Sequence, residues 1–157
     1  MSETPELSRP TNAERALFIS IRPQFVEAIL DGTKTVELRR TRPNVEIGSL
    51  IIFYSSSPTR AIVGWASLAG MLEGTPDQMW GAHGERAAIA ENEYDLYFAG
   101  TDAAYGLELE DVVQAPEPVP LASIRTLGIE PPQSWRYLPS ELGSRIRDQA
   151  SRPAAPA

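Results

Sequence analysis

The sequence predicts an α+β fold, a mixed β-barrel of about five to six strands with flanking helices and a short helical insertion. Two observations carry this. Several short segments alternate apolar and polar residues or are rich in β-branched and aromatic ones, as strands require. Segments with helical spacing fall between them without the regular strand–helix alternation of a doubly wound sheet.

Leu17 to Ile21 reads as the first strand. Arg22-Pro23 ends it, because a residue before proline avoids helical angles while proline itself suits the first helical position. In PQFVEAILDG, Phe25, Val26, Ile29 and Leu30 recur at helical spacing, and Gly32 supplies the left-handed residue that stops such a helix. TKTVELRR then alternates, with Val36 and Leu38 on one face and Thr35, Glu37 and Arg39 on the other, as in a half-buried strand. Arg39 and Arg40 are adjacent and point to opposite faces, and sharing a face with Glu37 places Arg39 in any cleft there. Ser49 to Tyr54 and Ala61 to Leu68 suit central strands joined through SSSPT.

Thr75-Pro76 is a cap followed by a first-turn proline, and the run to about Phe98 is mostly helical, with interruptions expected at Gly81 and Gly84. Ala104 to Val113 alternates again and returns to the sheet. The proline-rich APEPVP that follows is expected as a loop or an edge. Residues 1–14 and 150–157 carry almost no large apolar side chains and are expected to be disordered tails, with a helix over 139–149.

A chain of 157 residues fits one domain, and 42% hydrophobic with 22% charged residues is ordinary globular composition. Without cysteine there is no disulfide, thiolate metal site or cysteine nucleophile. His83 has no partner at metal-ligand spacing and is expected in a loop between Gly81 and Gly84, so no metal is implied. The triple serine lacks the glycine-flanked elbow of a serine hydrolase. The longest apolar stretches are far shorter than the roughly 20 residues of a membrane span, and MSETPELSRP carries no signal-peptide pattern, so no membrane partner and a cytoplasmic location are expected.

A net charge of −7 argues against non-specific coating of nucleic acid, which depends on phosphate neutralisation. The charge is uneven. Seven basic residues face four acidic ones over 15–72, whereas ten acidic residues face one basic one over 73–111. Lys34, Arg39, Arg40 and Arg42 stand against Glu37 alone within 34–42, a local patch suited to a selective anionic ligand. The acidic stretch reads as a solvated face.

Lys34 is the one lysine among fourteen basic residues. Arginine stays charged and planar, whereas lysine is a compact ammonium whose pKa falls on burial, so it serves as base, nucleophile or point-charge clamp. The competing explanation is an arginine-favouring composition. Glu37 admits two roles, scaffold partner of Lys34 or Arg39 and acceptor for a base edge or sugar hydroxyl. Ser55, Ser56, Ser57 and Arg60 can hold a phosphate or form an ordinary hairpin turn. Gln133, Ser134, Trp135, Arg136 and Tyr137 set polar groups beside rings, as for a stacked base, although Trp135 and Tyr137 equally suit core.

SIRPQFVEAILDGTKTVELRR resembles the signature of the ASCH superfamily, a strand and helix followed by Gly-x-Lys-x-x-Glu-x-Arg. YSSSPTRAIVGWASL, AYGLELED and PPQSWRYLP follow in the same order, so the resemblance spans residues 16–138. It implies a PUA-like barrel with a cleft beside Lys34, Glu37 and Arg39, in a superfamily proposed to bind RNA. One branch removes the acetyl group from acetylated cytidine with a lysine, a threonine three residues later and a distant glutamate. Lys34 matches the lysine, Glu37 stands in the threonine's place, and Glu73, Glu91 and Glu93 lie where residue-by-residue transfer fails.

The expected function is a binding module for single-stranded RNA, a nucleotide or a modified nucleoside. Its contacts are Lys34, Glu37, Arg39, Arg40, Ser56, Ser57, Arg60, Gln133, Ser134, Arg136 and Tyr137. The alternative is a metal-independent hydrolase of RNA or of a modified nucleoside such as acetylated cytidine, with Lys34 and Glu37 as the catalytic pair. No cofactor is implied, and protein partners are not specified.

Overall fold

The computed structural model describes residues 15–152. Of the expected tails over 1–14 and 150–157, residues 1–14 and 153–157 lie outside these residues, while 150–152 are described and Ala150 ends a helix. Six strands form one mixed sheet: β1 (Arg15–Ile21), β2 (Val36–Arg39), β3 (Leu50–Ser55), β4 (Ala61–Gly74), β5 (Ala104–Pro120) and β6 (Trp135–Pro139). Their spatial order is β2-β5-β4-β3-β1-β6, with β1 and β3 parallel and every other pair antiparallel. Five helices flank it: α1 (Pro23–Asp31), α2 (Pro76–Ala87), α3 (Glu91–Tyr97), α4 (Leu121–Thr126) and α5 (Ser140–Ala150). The α+β class and the strand number match the expectation. Among the described residues no helix is long and apolar enough to cross a membrane.

Alternation along the strands divides the core. Leu17, Ile19, Ile51, Phe53, Leu68 and Leu107 face one side, where Val26 and Ile29 of α1 cover them. Phe18, Ile52, Tyr54 and Ile62 face the other, under Ile124 of α4 and Ile146 of α5. Gly143 lets α5 approach β1 closely, since a Cβ there would lie 2.6 Å from that of Ala16. A third cluster joins Val36 and Leu38 of β2 to Met79, Ala87, Tyr94 and Phe98 of the helical insertion.

The sheet is barrel-like, but among the described residues no backbone ladder closes it. Arg39 of edge strand β2 reaches across, its Nη2 donating to the Ser20 carbonyl of β1 at 2.9 Å and its Nη1 to Oγ of Ser134, the residue before β6, at 3.1 Å. A guanidinium thus ties β2 to the β1–β6 side of the sheet.

Several local expectations are corrected. β2 is buried on both faces, because the insertion covers Val36 and Leu38 while the barrel side covers Glu37 and Arg39. α2 runs unbroken through Gly81 and Gly84 and stops at Ala88, in a left-handed conformation with φ 52°. The Trp80 ring lies over Gly84, 3.0 Å from where a Cβ would stand, so packing takes the place of a break. His83 is accordingly helical, with Nδ1 3.3 Å from Arg86 Nη1. APEPVP, by contrast, is an edge, one of its two expected forms: it belongs to β5, where Val119 and Pro120 pair with Ile62 and Ala61, and a register shift accommodates Ala115–Pro118. The prolines are tolerated there because this part of β5 has β4 alone as a neighbour. α5 extends to Ala150, which is buried beside Trp65 and Ala115.

Candidate functional site

α1 ends at Gly32, whose φ of 90° allows the chain to turn back, and the Lys34 amide donates to the Ala28 carbonyl at 3.0 Å. Thr35 then bridges two elements, its amide donating to Arg86 O at the end of α2 and its carbonyl accepting from the Leu109 amide of β5. This clamp aims Lys34 inward, leaving it 3% exposed. Its Nζ donates to the Ala87 carbonyl at 2.7 Å. That oxygen lies at the negative end of α2, where a cation is favoured. Nζ is also 3.5 Å from Glu37 Oε1 and 5.3 Å from the centre of the Phe25 ring. Burial pushes the Lys34 pKa below the ordinary lysine range, with Arg39 adding to the fall, and Glu37 opposes it.

From β2, Glu37 and Arg39 project to the same side. Glu37 Oε2 accepts from both Nε and Nη2 of Arg39, at 3.0 and 2.9 Å. Removing an ion pair from water is costly unless its remaining groups are hydrogen-bonded, and here Ser20 and Ser134 accept two further donors of the guanidinium. Lys34, Glu37 and Arg39 form one continuous polar floor.

Above this floor opens a cleft of about 570 Å³, within the size range of small-ligand sites. Phe25 of α1 and Tyr97 of α3 contribute rings to its walls, and Leu38, Ile89 and Leu96 contribute apolar surface. Tyr97 donates to the Leu38 carbonyl at 3.3 Å, and the Arg40 guanidinium lies 4.9 Å from its ring centre, so the ring is held on two sides. Burial raises the Tyr97 pKa and keeps the phenol neutral. Arg22, Lys34 and Arg39 face Glu37 and Glu93, leaving the lining one positive charge ahead on a chain of net −7.

A family model for the ASCH domain matches residues 19–114. An ASCH domain-containing ribonuclease of Zymomonas mobilis is 34% identical over 130 residues, covering 82% of this chain and 87% of the relative. The chain belongs to the ASCH domain family. The crystal structure of ASCH from Zymomonas mobilis superimposes with a TM-score of 0.79 at 30% identity, over 87% of this chain and 95% of that one. A serine-to-alanine variant of the Zymomonas protein gives 0.80 at 29% identity, over 90% and 99%.

In this ASCH chain, five of the residues expected at the site line the cleft: Lys34, Glu37, Arg39, Ser56 and Gln133. Ser134 supports Arg39 from behind. Arg40 braces Tyr97 from outside the lining. Ser57 and Arg60 are exposed in the β3–β4 turn, and Ser56 alone of that loop enters the lining. Arg136 is exposed and donates to the Glu130 carbonyl. The Tyr137 hydroxyl accepts from the Asn44 amide, the Arg15 guanidinium lies 4.0 Å from the ring centre, and the ring, like that of Trp135, packs on the core. Of the three glutamates that sequence matching does not place, Glu93 lines the cleft, while Glu73 pairs with Arg42 at 3.8 Å on the surface.

Sequence reasoning missed Tyr97, Ser20, Arg22 and the Ala87 carbonyl. NEYDLYF gives only a partial signal for Tyr97: it stands three residues after Tyr94 at the margin of the buried stripe, and its ring packs against that of Phe98. The Ala87 carbonyl has no signal at all, since any residue offers the same oxygen.

Proposed function

We propose that this ASCH protein binds single-stranded RNA and takes one unpaired nucleotide into the cleft, its base between the Phe25 and Tyr97 walls and its polar edge on Lys34, Glu37 and Arg39. The observation that carries this reading is the joining of two aromatic walls to a charged, hydrogen-bonding floor in one opening. Stacking with the edge read by polar groups is how proteins recognise unpaired bases, and it is worth about 1–3 kcal/mol per base. A duplex cannot present a base to this floor. The small positive excess of the lining suits one phosphate rather than a long track of them. The 34% identical relative named as a ribonuclease supports an RNA ligand. Fluorescence anisotropy with single-stranded and duplex RNA at low and moderate salt tests this; the reading predicts binding to the single strand and little to the duplex, and equal binding or none overturns it.

The relative's name also favours a second reading, cleavage of the bound RNA. Lys34 supplies the relevant chemistry, because a lysine whose pKa is lowered by burial is more often unprotonated near neutrality and so available to take a proton. Incubation with labelled RNA and with acetylated cytidine, with and without a chelator, separates the two. Products that disappear in Lys34→Met assign hydrolysis, and unchanged substrate alongside measured binding leaves the protein as a binding module.

A further inference from the structure

The floor of the cleft has a defined pattern of unused hydrogen-bonding capacity. An arginine carries five N–H donors, and four of those on Arg39 are committed: Nε and one Nη2 proton to Glu37 Oε2, the other Nη2 proton to Ser20 O, and one Nη1 proton to Ser134 Oγ. One Nη1–H remains. The Lys34 ammonium has three donors, of which Ala87 O takes one at 2.7 Å and Glu37 Oε1 faces a second at 3.5 Å. One N–H remains here too. Between them, Glu37 Oε2 is occupied by Arg39, while Oε1 has only the long contact to Lys34 and keeps acceptor capacity. The floor therefore offers donor, acceptor, donor in the order Lys34, Glu37, Arg39, and all three residues line the cleft.

We propose that the cleft selects an imide edge, the acceptor–donor–acceptor face of a uracil-type pyrimidine, and so gives the protein a preference for unpaired uridine. This rests on the reading that the cleft takes a nucleotide from RNA. The two carbonyls of the imide accept from Lys34 and Arg39, and its N3–H donates to Glu37. The imide is symmetric about N3–H, so either in-plane orientation makes the same three bonds. Cytosine turns an unprotonated N3 toward the carboxylate and an amino group toward one of the cations, which leaves two mismatches. Guanine and adenine each mispair at one position or more and are larger. A base that leaves such buried groups unpaired loses about ten- to a hundredfold in affinity.

Anisotropy competition with the full chain tests the proposal, using short homopolymers of uridine, cytidine, adenosine and 3-methyluridine. The uridine oligomer is expected to bind at least about tenfold more tightly than the cytidine one. The 3-methyluridine oligomer, which keeps the uracil ring and both carbonyls but lacks the N3 proton, is expected to fall to the cytidine level; this separates edge recognition from stacking of the ring alone. In Glu37→Gln the amide oxygen stays on Arg39 and the amide nitrogen replaces Oε1, so the preference is expected to move toward cytidine. The wild-type comparison is decisive by itself should that variant fail to fold. Equal affinity for uridine and 3-methyluridine oligomers overturns the imide proposal and leaves RNA binding intact, whereas binding of no oligomer at low salt overturns both.

Discussion

Lys34 Nζ lies 2.7 Å from the carbonyl oxygen of Ala87, the last residue of α2, so the motif lysine is fastened to a helix 53 residues further along the chain. The bond makes the helical insertion part of the site. Thr75 caps α2 through a reciprocal pair with Gln78, and the far end of the same helix receives Lys34 and the Thr35 amide. The cleft wall carried by α3 and the floor carried by β2 are thereby held in one unit.

The first prediction follows from burial. Removing a solvent-exposed lysine changes stability little, but Lys34→Met strands the Ala87 carbonyl and withdraws a charge from Glu37, which keeps its two bonds from Arg39. A cost of about 1–3 kcal/mol in urea unfolding is expected. The pH dependence has a definite sign. The folded pKa is lowered, so between that value and the ordinary lysine range the unfolded chain binds more protons, and stability due to this group rises with pH. The stability difference between wild type and Lys34→Met should therefore widen from neutral toward alkaline pH; a constant or shrinking difference contradicts the assignment.

Arg39 supplies the second. Arg39→Ala removes the link between β2 and the β1–β6 side and leaves the buried Glu37 carboxylate with only the 3.5 Å contact to Lys34, so a loss of about 3–5 kcal/mol is expected. Paired with Glu37→Leu in a double-mutant cycle, the two should couple by at least about 1 kcal/mol. Lysine at position 39 should rescue only partly, because one ammonium cannot reach Glu37, Ser20 and Ser134 together. Simple additivity in urea melts contradicts the bridge.

A third concerns alkaline unfolding. The Tyr94 phenol donates to the Pro76 carbonyl at 2.7 Å, and burial, with Asp77 and Asp95 adding, raises its pKa to about 12. Above the ordinary tyrosine pKa of about 10 the unfolded chain loses the proton that the folded chain keeps, so stability falls as pH rises from there toward 12. Tyr94→Phe should flatten this fall while costing about 1 kcal/mol at neutral pH through the lost hydrogen bond. Circular-dichroism melts across the range measure both effects, and an unchanged slope rejects the account.

Local patterns were legible in the sequence and distant contacts were not. The strand, helix and Gly-Lys turn leading into β2 follow from residues within a few positions of one another, such as Pro23 and Gly32, and the structure has them. Glu37 and Arg39 share a side because strand alternation requires it. What hides them is long-range: a period-two pattern shows which residues share a face, but only the docking of α2 and α3 shows that both faces of β2 are covered. Gly81 and Gly84 read as breaks because their propensity is poor, yet the Trp80 ring occupies the space over Gly84. Arg136 and Tyr137 lie in a motif beside the site, and register with β1 sends them elsewhere: Arg136 opposite Phe18, and Tyr137 opposite Leu17 with its ring on the core.

On the proposed reading the base enters between Phe25 and Tyr97 rather than resting on the exposed arginines Arg60, Arg125 and Arg136. Photocrosslinking of single-stranded RNA containing 4-thiouridine, followed by mass spectrometry of the attached peptides, tests it most directly. The account predicts adducts on the peptides carrying Phe25 or Tyr97, greatly reduced by Tyr97→Ala. Adducts confined to the peptides of Arg60, Arg125 and Arg136, unaffected by that substitution, would contradict it.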